Sequence, residues 1–263
     1  MTELILLNRR DRLVEIALNR PEKRNALNWP MLAELDAALD EAERMDGARV
    51  ILLRGEGAGF SAGIDLTGFQ ELAAQFGEKW RENLFPLTRA HQAIANKIER
   101  HSLPVIALLH GFCLGLGLEL ALACDFRLAA EGTRLGLPES RLGLIPDVGG
   151  TTRLARLAGP ARAKELILTG RAIDAQTAAG WGIVNSCAAA EQLVAEGEAL
   201  AAEICRAAPL AVSYGKRIIN ELNDAERGFQ LEAWAQSVLM RTEDFETGAQ
   251  AMLARQPAEW KGR

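Results

Sequence analysis

Among 263 residues there are four cysteines, three histidines, nine prolines and one tyrosine, and each shortage excludes something. Cys113, Cys124, Cys187 and Cys205 form no CxxC pair and sit among apolar neighbours, which argues against a disulfide framework or a zinc site and for reduced, buried thiols. His91, His101 and His110 share no metal-ligand spacing, so no metal is expected. With 49% apolar and 25% charged residues and so little proline, the chain is not disordered or collagen-like. Positive charge is also short: 30 Lys and Arg against 35 Asp and Glu leave a net charge of −5, so a phosphate backbone has little to bind and nucleic acid is not an expected partner. Dinucleotide and phosphate loops of the GxGxxG and GxxxxGK[ST] types are missing, as are GxSxG and HExxH.

Long charge-free apolar runs are lacking too. The nearest approach, VIALLHGFCLGLGLELALAC at 105–124, contains Glu119, whose charge at a bilayer centre costs about 2.5–3.5 kcal/mol, together with helix-weakening glycines. It reads instead as a buried strand, a glycine turn and a short buried helix, with no membrane segment. The opening MTELILLNRRDRLVEIAL has its apolar run before its charges and no small-residue cleavage site. It does not read as a signal peptide, and a cytoplasmic location is expected.

What is present is a recurring order of elements in a chain of one-domain length. ELILLNRR and RLVEIAL form a hairpin turning at Arg9–Arg12, and Asn28 caps a helix with Pro30 in its first turn and Leu32, Leu35, Leu39 and Ala42 on one face. The strand RVILLRG then runs into the glycine loop EGAGFSAGID. A helical region from about 69 to 101, marked by Leu72, Phe76, Trp80, Leu84 and Leu87, precedes the strand PVIALL, the loop HGFCLGLG and a helix through Glu119. The strand CDFRLAA and the loop PESRLGLIPDVGG follow, with a helix from Thr151 or Thr152. This repetition predicts an α/β fold of ββα units. From about 190 the pattern is helical and alanine-rich, giving a core over 1–190 and a helical region over 191–263.

Two glycine loops, FSAGID at 60–65 and GFCLGLGLE at 111–119, each follow an apolar strand. Unpaired N–H groups at such turns can hold a developing oxyanion, or the glycines serve only to make tight turns. Glu119, flanked by leucines and alanine, is either a buried acid/base or a structural partner of Arg127, Arg141 or Arg153. Glu139 in PESRLG is a second acid/base candidate, and Asp147 in LIPDVGG reads as a turn residue capping the next helix.

In this order RPEKRNAL, FSAGIDL, HGFCLGLGLEL–ALACDFRLAA and PESRLGLIPDVGGTTRL resemble the crotonase superfamily, the enoyl-CoA hydratase/isomerase family, over nearly the whole chain. The resemblance implies a crotonase-like spiral of ββα units whose C-terminal helical region makes trimers or dimers of trimers. It implies that the backbone N–H groups of Ile64 and Leu116 polarise a thioester carbonyl; Leu116 stands where many members of the family have glycine. It also implies that Arg24, Ala26, Ala62 and Asp65 line the CoA arm, with Arg24 able to meet a phosphate. Glu119 and Glu139 match the water-holding pair of hydratases: Glu119 activates water and Glu139 protonates the α-carbon. Asp147 resembles the further carboxylate of dienoyl-CoA isomerases, which have Asp where this chain has Glu119. The expected activity is hydration of a 2-enoyl-CoA thioester without a separate cofactor. The alternatives are an enoyl- or dienoyl-CoA isomerase and a non-catalytic acyl-CoA-binding subunit.

Overall fold

The computed structural model describes residues 3–68, 80–221, 226–256 and 258. Strands β1 (Ile5–Arg10) and β2 (Leu13–Leu18) form the expected hairpin, and the chain reverses through Asp11 at φ 54°. Helix α1 (Trp29–Arg44) starts as anticipated, the Asn28 side chain accepting the Met31 N–H at 3.1 Å. Strand β3 (Val50–Gly55) pairs in parallel with β2, and β4 (Val105–Leu109) with β3. Between them the described part of the predicted helical region is a 3₁₀ turn at Trp80–Asn83 and helix α2 (Leu84–Arg100); Leu72 and Phe76 lie outside the described residues.

The segment after β4 departs from the sequence reading. HGFCLGLG is not all loop: Phe112–Leu114 form a short strand, β5, before α3 (Leu116–Ala123). The next unit has the same shape, with β6 (Phe126–Ala130), β7 (Arg134–Gly136) and, after a 3₁₀ turn at Pro138–Leu142, α4 (Gly150–Thr169). β6 lies parallel beside β4 while β7 lies parallel beside β5, so one ββα unit stacks on the one before it. A bridge from Ser61 to Cys113 extends the smaller sheet back to the loop after β3. These stacked turns are the spiral expected of the crotonase-like fold.

Helix α4 begins at Gly150 rather than at Thr151 or Thr152, with Gly149 and not Asp147 at its N-cap, and it breaks at Gly159 (φ 80°) before Pro160. Strand β8 (Ala172–Asp174), helix α5 (Ala175–Gly180) and strand β9 (Ser186–Ala188) complete the sheets, ordered β1-β2-β3-β4-β6-β9 and β5-β7-β8. Helices α6 (Leu193–Ile204), α7 (Pro209–Glu221), α8 (Glu226–Leu239) and α9 (Glu243–Ala254) follow, in keeping with the helical pattern after 190.

Alternation along the strands explains why both faces of the large sheet are covered. Ile51, Leu53, Val105, Ala107 and Leu109 join the main core with α1, α2 and α3, whereas Val50, Leu52, Ile106 and Leu108 pack with Leu193 and Ala201 of α6. Both groups are fully buried, which is why β3 and β4 read as continuous apolar runs. Among the described residues no helix is long and apolar enough to cross a membrane; 105–124 is divided among β4, β5 and α3.

Candidate functional site

The site lies where the chain leaves the carboxyl ends of β3 and β4, the usual place for a ligand in parallel sheets. After β3, Phe60 and Ser61 donate their N–H groups to the carbonyls of His110 and Phe112, at 3.0 and 3.2 Å. On its other side the loop is stitched to residues 24–27: Ala62 N–H donates to Arg24, Leu27 N–H to Gly63, and Asp65 N–H to Leu27. Buried Asn25 fastens the corner, its amide donating to the carbonyls of Glu56 and Gly59 at 2.8 and 2.9 Å.

The N–H groups of Ile64 and Leu116 accept no part in this stitching and have no acceptor among the described residues. Leu116 opens α3, where the first amides have no intrahelical partner. The two loops touch at glycines that no other residue replaces freely. Gly63 has φ +96°, and a Cβ there would lie 2.9 Å from the Leu114 oxygen and 3.4 Å from the Leu116 nitrogen. Gly115 has φ +51°, and its Cβ would lie 3.1 Å from Glu139 Oε1. Two unpaired donors brought together in this way can hold one oxygen that gains negative charge. The Leu116 side chain is buried in the main core, so its bulk is accommodated there.

A cavity of about 340 Å³ opens beside these amides, lined by Ile64, Leu116, Glu119, Glu139 and Asp147 and walled by Leu27, Trp29, Leu87, His91, Leu142, Leu144, Gln236 and Met240. Glu119 is 2% exposed, and its Oε1 accepts the N–H groups of Val148 and Gly150, both at 2.8 Å. This carboxylate therefore sits at the positive end of α4, and any proton it carries must be on Oε2. Of the arginines considered as its partners, Arg127 donates to the carbonyls of Ile183 and Cys124 and Arg141 to that of Thr169, while Arg153 pairs with Glu99 at 2.7 Å. Glu139 rides on the 3₁₀ turn, and its Oε2 is buried without a hydrogen-bond partner among the described residues. Burial, reinforced by the negative charge of Asp147, pushes its pKa up to about 8. Asp147 reaches the same cavity, and its carbonyl accepts the Gln92 amide at 2.7 Å.

A sequence model described as "Enoyl-CoA hydratase/isomerase" matches residues 8–263. The chain belongs to the enoyl-CoA hydratase/isomerase family. It is 36% identical over 255 residues to a probable enoyl-CoA hydratase of Bacillus subtilis, covering 96% of each chain. It is 35% identical over 261 residues to a crotonyl-CoA hydratase of Syntrophomonas wolfei, covering 98% of each. Its fold matches an enoyl-CoA hydratase of Mycobacterium avium subsp. paratuberculosis with a TM-score of 0.87 at 26% identity, over 99% of this chain and 100% of that one. The chain is thus a crotonase-family enzyme acting on acyl-CoA substrates.

The positions assigned to the CoA arm gather at one edge. Arg24 is exposed at φ 57°, its guanidinium 4.5 Å from the Phe112 ring centre, and the backbone bonds above bring Arg24, Ala26, Ala62 and Asp65 together. Of the four, only Asp65 lines the cavity. Its carboxylate is held by Arg20 at 2.5 Å and by Thr67, bonds that keep its pKa below the usual carboxylate value although burial acts to raise it. Residues that sequence reasoning missed include His91 and Gln236. His91 falls at helical spacing from Leu84 and Leu87, which was the available signal for it.

Proposed function

We propose that this enzyme adds water across the double bond of a 2-enoyl-CoA thioester. In this reading the N–H groups of Ile64 and Leu116 hold the thioester oxygen as it becomes an enolate, each contributing about 3–4 kcal/mol. Glu119, anchored through Oε1, uses Oε2 to take a proton from water as the water attacks the β-carbon. Glu139 then gives its proton to the α-carbon, so the double bond is consumed and a 3-hydroxyacyl-CoA results, with CoA carried by the substrate and no further cofactor. The observation that carries this reading is the pairing of one carboxylate anchored by two amides with a second whose Oε2 is buried and has no partner among the described residues, both in the cavity beside the Ile64 and Leu116 amides. Loss of the conjugated-thioester absorbance with crotonyl-, hexenoyl- and decenoyl-CoA is the test; no loss with any of them overturns the reading.

Asp147 supports a second reading, a double-bond isomerase, because a third carboxylate in the cavity provides a distal site for a proton. Activity on a 3,5-dienoyl-CoA that Asp147→Asn abolishes would favour it. We place the CoA arm along Arg24, Ala26, Ala62 and Asp65, and we assign the helical region after 190 to a homotrimer or dimer of trimers. Leu210, Tyr214 and Ile218 of α7 and Trp234 and Val238 of α8 remain exposed, more apolar surface than a lone chain usually leaves to water. Light scattering at micromolar concentration is expected to give a multiple of three chains; a monomer mass rejects the assembly.

A further inference from the structure

One polar side chain in the cavity wall has no part in hydration. Gln236, on α8, lines the cavity and is 7% exposed, and its Oε1 is buried with no hydrogen-bond partner among the described residues. Leaving such a group unpaired costs about 1–3 kcal/mol. An apolar residue would avoid that cost, as Met240 does four positions later in the same wall.

Helix α2 packs against α8 and adds a second acceptor. His91 Nδ1 lies 2.9 Å from the Leu87 carbonyl oxygen and must donate to it, which leaves Nε2 as the acceptor. Burial holds the imidazole pKa below its usual value, so the ring is neutral at pH 7, and Trp29 fixes it edge-on with ring centres 5.3 Å apart. Gln236 and His91 thus bring acceptors from two helices to a cavity that Leu87, Leu142, Leu144 and Met240 also line. An alkyl chain satisfies neither. A carboxylate brings no proton and would meet the charge of Asp147, and an ammonium only donates, so it can accept nothing from the amide nitrogen. A hydroxyl donates to an acceptor and also accepts from the amide nitrogen, so it suits either orientation of the glutamine.

We propose that Gln236 is a specificity-determining residue that receives a hydroxyl group on the acyl chain, making hydroxylated enoyl-CoA thioesters the preferred substrate class. This rests on the acyl-CoA reading of the site, and the experiment separates the two. Dissociation constants are measured by calorimetry for butanoyl-, hexanoyl- and octanoyl-CoA and for their ω-hydroxy derivatives, with the wild type and Gln236→Met. At least one hydroxylated thioester is expected to bind about 3–10-fold tighter than its parent, the span of one neutral hydrogen bond, and Gln236→Met is expected to bring that ratio to one. Equal or weaker binding of every hydroxylated thioester, or an advantage that survives in Gln236→Met, overturns the proposal while leaving the acyl-CoA reading in place. Failure of all six thioesters to bind overturns both.

Discussion

Glu119 and Glu139 line one cavity, yet the chain treats them in contrary ways. Glu119 grows from an all-buried helix and receives two main-chain N–H bonds at the start of α4. Glu139 sits on a short 3₁₀ segment with a buried oxygen that has no partner among the described residues, beside another carboxylate. The lesson is that two identical side chains take different protonation roles from what surrounds them: amides position one as an acceptor, and burial holds a proton on the other.

The largest effects should come from erasing this contrast. Glu139→Gln is expected to lower hydration and α-proton exchange together by about 10²–10⁴, whereas Glu119→Gln should lower hydration by a similar factor and exchange much less. Paired assays of absorbance loss and deuterium uptake distinguish the two variants. If Glu119→Gln leaves hydration intact, the anchored carboxylate is not the base. Gly115→Ala attacks the space between the loops: its φ of +51° and a Cβ 3.1 Å from Glu139 Oε1 should cost about 1–3 kcal/mol of stability and displace the acid, read as lower Tm and lower kcat.

Smaller effects sharpen the contrast. A Glu139 pKa of about 8 lies above its unfolded value of 4.5, so Glu139 carries no penalty below pH 4.5 and destabilises the fold progressively as pH rises to about 8. Glu139→Gln should therefore be nearly neutral in acid and more stable than wild type by a few kcal/mol, roughly, near pH 8, measured by urea denaturation across pH. In the wild type, kcat/KM for hydration should fall as pH rises through about 8, where Glu139 loses its proton. Asp147→Asn should have the least effect. Removing the neighbouring negative charge lowers the Glu139 pKa and moves that alkaline limb to lower pH.

The sequence made most of the large sheet legible because β3 and β4 carry apolar runs, β1 and β2 flank a charged turn, and α1 carries its cap at Asn28 and a leucine face, whereas the three-residue β9 went unread. Strands β5 and β7 stayed hidden because three residues between turns offer no period to read, although their pairing is what stacks the spiral. Glu119 and Glu139 stood out, one as a charge in an apolar helix and the other as the carboxylate of PESRLG, which the family resemblance pairs with the first. The partners that differentiate them did not, because Val148 and Gly150 act through backbone N–H groups, which leave no mark in the pattern of side chains. Gln236 was hidden for another reason: it lies more than a hundred residues from Glu119, and only the packing of α8 brings it to the cavity.

Incubating the wild-type enzyme with crotonyl-CoA in deuterium oxide and weighing the product tests the central claim most directly. Hydration through Glu119 and Glu139 predicts loss of the conjugated absorbance and a 3-hydroxybutanoyl-CoA carrying one deuterium on the α-carbon. Deuterium entering an unhydrated thioester, or no loss of absorbance at all, would contradict it.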